Sequence, residues 1–196
     1  VQNLLVSHPK LWDLDFPYRY TVETIIKKGG KTIDKYLTPF GIRSVKFDKD
    51  KGFFLNNKHL KLKGMCLHQD AGCLGTAVPD RAYERRLLIL KEFGTNAIRC
   101  SHNPPSPEFL NYCDSIGFLV IDEAFDKWKS GYYEEFFDSS WQQDISDMVI
   151  RDRNHPSVIL WSIGNELAEA KLKDDTGIER AGMLQDFVHQ LDPSRL

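Results

Sequence analysis

The chain has 196 residues, 41% of them hydrophobic and 28% charged, with no apolar run long enough for a bilayer, so it reads as neither membrane-spanning nor disordered. Twenty-six Lys and Arg against twenty-eight Asp and Glu give a net charge of -2 with no long basic cluster. That balance excludes a nucleic-acid footprint and predicts a neutral substrate. Cys66, Cys73, Cys100 and Cys113 show no paired C-x-x-C spacing, which argues against a zinc ribbon or a disulfide scaffold. The chain opens on Val1-Gln2-Asn3-Leu4, with neither an initiator methionine nor a signal peptide, so it is expected to be the interior of a longer protein, with its compartment open.

Tyr18 to Lys27 and Lys31 to Thr38 read as strands flanking Lys28-Gly29-Gly30, and Ile42 to Phe47 follows Pro39-Phe40-Gly41 as a third. They have the character of the tail of a β-sandwich. Charged, flexible composition from Asp48 to Gly52 predicts a domain boundary there, giving residues 1–50 to the sandwich and 51–196 to the next domain. A hairpin turning at Asn56-Asn57 leads into a strand from Leu60 to Leu67.

From there the period changes. Asp80 is placed to cap a helix with Tyr83, Leu87 and Leu90 on its apolar face, ended by Gly94, and the strand Asn96-Ala97-Ile98-Arg99 follows. A shorter helix from Ser106 to Ile116 precedes the apolar run Phe118-Leu119-Val120-Ile121. Trp141, Ile145, Met148 and Val149 mark a third helix stopped at Pro156, and Val158-Ile159-Leu160-Trp161 forms the next strand. Thr176 with Glu179 predicts a capping box for a last helix that turns Ala181, Leu184, Val188 and Leu191 inward. Apolar strands each followed by a helix predict an α/β fold with a parallel sheet buried on both faces. A doubly wound sheet would announce a glycine-rich phosphate turn after its first strand, and His68-Gln69-Asp70-Ala71-Gly72 is not one. A (β/α)₈ barrel needs about 250 residues, and roughly 130 remain after residue 60, enough for the first four βα units.

Each of these strands ends in polar residues: His68 and Asp70, then Arg99 and His102, then Asp122 and Glu123, then Asn165 and Glu166. In a parallel barrel such ends form the mouth of the active site, so the clusters are expected to converge. Bland readings stand beside that one: a strand-end histidine is more often structural, Arg99 needs a carboxylate partner wherever it is buried, and Trp161 reads as core. Asp122 and Glu123 are adjacent in a strand, so they face opposite sides and one is expected to be structural. Glu166 follows a fully apolar strand and stands beside Asn165. Burial there would raise its pKa and let it serve as a general acid.

The stretch Asn154-His155-Pro156-Ser157-Val158-Ile159-Leu160-Trp161-Ser162-Ile163-Gly164-Asn165-Glu166 resembles the acid/base signature of glycoside hydrolase family 2, and Gly94-Thr95-Asn96-Ala97-Ile98-Arg99-Cys100-Ser101-His102-Asn103-Pro104 resembles its second-strand motif. Cys113 to Trp128 is also similar to this family, and its Glu-Ala-Phe-Asp-x-Trp ending is closer to bacterial β-galactosidases than to β-glucuronidases. Residues 39–52, which begin Pro39-Phe40-Gly41-Ile42-Arg43-Ser44, resemble the joint between the family's immunoglobulin-like domain and its barrel. The resemblance implies the last strands of an immunoglobulin-like sandwich followed by the first half of a TIM barrel, and a retaining hydrolase of terminal β-glycosides, β-galactosides first. It makes Glu166 the acid/base, gives Asn165 a hydrogen bond to the sugar 2-hydroxyl, and sets His68, Asp70, Arg99, His102 and Trp128 at the substrate. Asp126-Lys127-Trp128-Lys129 offers no pair of acidic residue and histidine such as that through which some large β-galactosidases bind magnesium, so no metal and no cofactor is expected. The nucleophile is expected on a later strand, to which Leu191-Asp192-Pro193-Ser194-Arg195-Leu196 resembles the lead-in.

The expected partners are a carbohydrate and the rest of the barrel, with self-association open and no nucleic acid or membrane. β-Glucuronidase and β-mannosidase are the alternatives within the family. Two further readings come from other classes: a metal-dependent barrel hydrolase using His68-x-Asp70, His102 and Glu166, and a non-catalytic sugar-binding module.

Overall fold

A computed structural model of the chain describes residues 3–171 and 175–196. Two antiparallel units come first. Strands β1 (Tyr20–Lys28) and β2 (Lys31–Phe40) pair across Gly29 and Gly30, whose φ angles of 56° and 80° suit the left-handed two-residue turn that matches strand twist. Strands β3 (Val45–Asp48), β4 (Gly52–Leu55) and β5 (Lys58–His59) make a second small sheet. Its turn uses Asn56 and Asn57 at φ 49° and 64°, a conformation that asparagine tolerates better than other side chains. The third expected strand thus begins at Val45, because Arg43 is drawn aside: its guanidinium donates to the carbonyls of Pro156 (2.6 Å) and Val158. Burial and the nearby Arg195 hold the Arg43 pKa down to about 10.

The remaining strands, β6 (Gly64–His68), β7 (Ala97–Ser101), β8 (Leu119–Glu123) and β9 (Val158–Ser162), form one parallel sheet in that order. Helices α1 (Asp80–Glu92), α2 (Pro107–Ile116) and α3 (Glu134–Asp152) cross between them, and α4 (Thr176–Leu191) follows β9. One face of the sheet, with Ile98, Cys100, Val120 and Val158, packs on Leu87, Phe109, Leu110, Ile145, Val149 and Leu184 of the helices. On the other face Ala97, Leu119 and Ile159 meet Phe53 and Leu55 of the hairpin and the fully buried Trp12. The hairpin therefore closes the floor of the sheet.

Helix ends follow local chemistry with two corrections. Ser106 caps α2 by accepting from the Phe109 N–H at 3.3 Å, Pro107 opens the helix, and Gly117 closes it at φ 86° with Leu14 O only 2.3 Å from where a Cβ would stand. Asp80 proves to be the first residue of α1 rather than its cap, a place taken by Pro79. Nor does the expected Thr176–Glu179 capping box form, because α4 begins one residue earlier than that reading requires, with Asp175 at the cap position and no side-chain cap bond. β6 departs from the expected burial on both faces: Met65, Cys66 and His68 are exposed along the outer edge of the sheet. At the opposite edge the Trp161 N–H donates to Leu196 O at 2.9 Å, so the chain beyond α4 returns alongside β9.

Candidate active site

Polar groups collect at both ends of the sheet and do different work. At the amino end, buried Asp114 accepts from the Ser157 N–H (3.1 Å) and binds His155 Nδ1 (2.7 Å), while its carbonyl takes the Trp12 indole N–H (2.8 Å). These contacts tie α2, the turn before β9 and the N-terminal segment together, so the Asn154-His155-Pro156-Ser157 part of the long motif is structural.

At the carboxyl end the strand termini converge. Register places Cys66 beside Arg99 and Arg99 beside Ile121, so Arg99 and Glu123 project from the same face of the sheet. Arg99 Nε donates to Glu123 Oε2 at 2.8 Å and Arg99 Nη2 to Asn165 Oδ1 at 2.9 Å. His102 Nδ1 lies 2.7 Å from Glu123 Oε1, and His68 meets the His102 ring edge-on with centroids 5.2 Å apart. Asn165 donates its side-chain N–H to Asp126 Oδ1 at 2.9 Å, and Lys127 Nζ bridges Asp126 (3.0 and 3.1 Å) to Glu166 (3.3 Å). An unbroken line of contacts therefore runs from His68 through His102, Glu123, Arg99, Asn165, Asp126 and Lys127 to Glu166.

Electrostatics within this line are self-consistent. Burial works against the Arg99 charge, but the hydrogen bond and attraction of Glu123 outweigh it and hold the Arg99 pKa above its ordinary value. Asp126 is held below the usual carboxylate range: partial burial opposes this, and the hydrogen bonds from Asn165 and Lys127 prevail. The Asp126 hydrogen bond in turn raises Lys127. Behind His102 and Asp126 a cleft of about 450 Å³ opens toward α3, lined also by Phe125, Tyr133, Asp144 and Arg151.

Three expectations need correction. Trp128 does not face the concavity: it is 1% exposed, its indole N–H is spent on Ile163 O at 2.6 Å, and Arg180 covers its ring at 6.0 Å. An apolar ring following Phe125 gains more from the core than from a wet rim. Asp70 stands apart from the line, its side chain accepting from the Gly72 N–H in its own loop (3.2 Å). Glu166 is not buried as its apolar strand suggested, since 75% of its side chain is exposed. The strand ends at Ser162, and Glu166 sits four residues on in a turn at φ 44°, a conformation costing a non-glycine residue on the order of 1 kcal/mol.

Sequence reasoning left open which of Asp122 and Glu123 lines the site, and assigned no place in it to Asp126 and Lys127. Strand parity was the available signal for Glu123, because Leu119, Ile121 and Glu123 share the face that carries Arg99 on the neighbouring strand. Asp122 points the other way, toward α3. Its carboxyl is fully buried, with no hydrogen bond of normal geometry to either oxygen, next to Asp152, whose own carboxylate is clasped by Arg151 at 2.6 and 2.7 Å. Burial and the Asp152 charge, only partly offset by Arg151, push the Asp122 pKa well above the usual range, and a proton on Asp122 allows a hydrogen bond to Asp152. A raised carboxyl pKa means stability present at acid pH and lost as pH rises past the ordinary carboxylate value. Asp122→Asn in the full-length protein, measured by thermal unfolding from pH 4 to pH 8, is therefore expected to gain on wild type as pH rises, by at most about 1.4 kcal/mol per pH unit. A gap that shrinks or reverses with pH would contradict this account of Asp122.

The layering of helices outside a parallel sheet, with structural polar groups at one end and converging ones at the other, is that of a (β/α) barrel. The chain belongs to glycosyl hydrolases family 2: residues 45–196 match the family model described as "Glycosyl hydrolases family 2, TIM barrel domain", and residues 1–43 match "Glycosyl hydrolases family 2". It is 49% identical over 195 residues to Beta-galactosidase BoGH2A of Bacteroides ovatus, covering 96% of this chain and 23% of that protein. A Beta-glucuronidase of Bacteroides fragilis is 34% identical over 199 residues, 98% of this chain and 28% of its own. The crystal structure of a glycosyl hydrolase family 2 member from Bacteroides cellulosilyticus superposes with a TM-score of 0.89 at 48% identity, over 95% of this chain and 24% of that one. The fold is thus the first four βα units of a TIM barrel, preceded by the end of an immunoglobulin-like domain. The chain spans about a quarter of the length of these relatives.

Proposed function

We propose that the full-length protein carrying these residues is a retaining glycosidase that removes terminal, non-reducing β-galactosides. The observation that supports this reading is the line of contacts that links Glu166, Asn165, Arg99, His102 and His68 at the carboxyl ends of the strands. Glu166 protonates the leaving oxygen and then takes a proton from the attacking water. Asn165 has one amide N–H committed to Asp126 and a second left over, and that donor suits a sugar 2-hydroxyl whose hydrogen bond strengthens in the oxocarbenium-like transition state. Arg99 orients and keeps ionised a nucleophilic carboxylate supplied by another strand. His68 and His102 meet hydroxyls. On the same reading the sandwich gives way to the barrel near residue 50, within the turn of the β3–β4 hairpin.

Charge supports galactoside over glucuronide. Arg99 is matched by Glu123, and Lys127 by Asp126 and Glu166, so these residues hold no surplus positive charge for a uronate. The metal-hydrolase alternative loses ground because no group of three or more His, Cys, Asp or Glu side chains spaced for a metal occurs among the described residues. Comparing nitrophenyl β-galactoside, β-glucuronide and β-mannoside as substrates of the full-length protein tests the reading. The galactoside is expected to lead in kcat/KM by about tenfold or more; a leading glucuronide would overturn it in favour of the family's other activity.

A further inference from the structure

We infer that Glu123 is the positioning residue of this site, the carboxylate that fixes which edges Arg99 and His102 turn toward the sugar. The inference rests on the glycosidase reading of the concavity. Glu123 is fully buried, yet two oxygens serve three side chains from different parts of the barrel mouth. Oε2 accepts from Arg99 Nε (2.8 Å) and from the Ser162 hydroxyl (2.7 Å), Arg99 Nη2 stands within ion-pair distance of it (2.7 Å), and Oε1 meets His102 Nδ1 (2.7 Å). A carboxylate in such a place is an expensive way to fill space, since an apolar side chain would avoid its desolvation. What the charge supplies is direction. Arg99 is held through two nitrogens, Nε on Glu123 and Nη2 on Asn165, the residue beside Glu166, so its plane is set. An ionised carboxylate only accepts, so the proton of neutral His102 resides on Nδ1, leaving Nε2 as a lone pair for a sugar hydroxyl. Glu123 also cancels the Arg99 charge at the floor of the pocket, which suits an uncharged ring.

The test uses the full-length protein with Glu123→Gln, Arg99→Ala, the double variant and Ser162→Ala, each with kcat, KM and thermal unfolding measured on nitrophenyl β-galactoside. Glu123→Gln keeps the shape and loses the charge. It is expected to lower kcat/KM about 100-fold, mostly in kcat, because the groups it aims act on the transition state. Combined with Arg99→Ala, it is expected to add no more than about threefold to the loss from Arg99→Ala alone, since two residues working as one unit are non-additive. A purely structural Glu123 would instead give additive losses that track the unfolding temperature. Nitrogen-15 NMR of the histidine rings gives a readout that needs no turnover: His102 is expected with its hydrogen on Nδ1 in wild type and as a tautomer mixture in Glu123→Gln, whose amide both donates and accepts. Activity of Glu123→Gln within twofold of wild type, additive losses, or a hydrogen on Nε2 in wild type would each overturn the inference. Should Glu123→Gln fail to fold, Ser162→Ala decides: a fewfold fall in kcat at wild-type unfolding temperature supports the inference, and an unchanged kcat counts against it. Absence of any β-glycosidase turnover in wild type would sink the glycosidase reading instead, while the tautomer measurement still judges Glu123.

Discussion

Replacing Glu166 by alanine in the full-length protein is expected to cut turnover of alkyl β-galactosides by about 10²- to 10⁴-fold, while sparing dinitrophenyl β-galactoside far more. An alkoxide is a poor leaving group and departs only as it receives a proton; a dinitrophenolate leaves without one. On the proposed reading Glu166 is the carboxyl that gives that proton. It stands beyond β9 at the open end of the sheet, directly after Asn165, with Lys127 Nζ at 3.3 Å. The backbone N–H of Asn165 donates to Asp126 O at 2.8 Å, which pins the turn that presents it. The other carboxylates nearby are committed: Glu123 lies beneath Arg99 and His102, and Asp126 is held by Asn165 and Lys127. Steady-state rates across leaving groups of falling pKa check the prediction. An equal loss on activated and unactivated substrates would make Glu166 structural.

Residues 1–196 expressed alone are expected to show no glycosidase turnover above background. A retaining mechanism needs two carboxyl groups about 5 to 5.5 Å apart, one to protonate and one to attack the anomeric carbon. Glu166 fills only one of these roles, and the other carboxylates nearby do not offer the second: Asp126 is held by Asn165 and Lys127. Asp122 faces the helices, Glu123 has both oxygens engaged in the floor, and Asp70 is turned into its own loop. β6 also presents an open parallel edge with Cys66 and His68 exposed, which leaves the sugar pocket unwalled on that side. Assay of the purified piece on nitrophenyl β-galactoside and β-glucuronide, alone and with the separately expressed remainder of the protein, checks this. Turnover by the piece alone that Glu166→Gln abolishes would contradict it and require a second carboxylate within these residues.

Much of this architecture was legible in the sequence because local chemistry and tertiary packing agree there. Gly29-Gly30 and Asn56-Asn57 adopt the left-handed turns that such pairs favour, and Ser106-Pro107 with Gly117 bounds α2 as capping rules require. Apolar strands followed by apolar-faced helices could only form a parallel sheet covered by helices. The site was legible in outline, since strand ends in a parallel barrel converge whatever their side chains. What escaped depends on contacts between segments distant in the chain. Lys127 matters because it spans Asp126 and Glu166, and no local pattern encodes that. The family resemblance set Trp128 at the substrate, yet the Ile163 carbonyl and Arg180 hold it in the core. Capping at Thr176 failed for a similar reason: the position of a helix start shifted by one residue defeats a spacing rule.

The most direct test of the central claim is azide rescue of Glu166→Ala in the full-length protein, with dinitrophenyl β-galactoside as substrate. Loss of the acid/base leaves the glycosyl-enzyme formed but slow to react with water, because nothing takes the water's proton. Azide needs no such help and attacks from the vacated face. The account predicts faster turnover with azide and a β-galactosyl azide product, identified by the anomeric coupling in its proton NMR spectrum. An α-configured azide would mark Glu166 as the nucleophile instead, and no rescue at all would remove it from the chemistry.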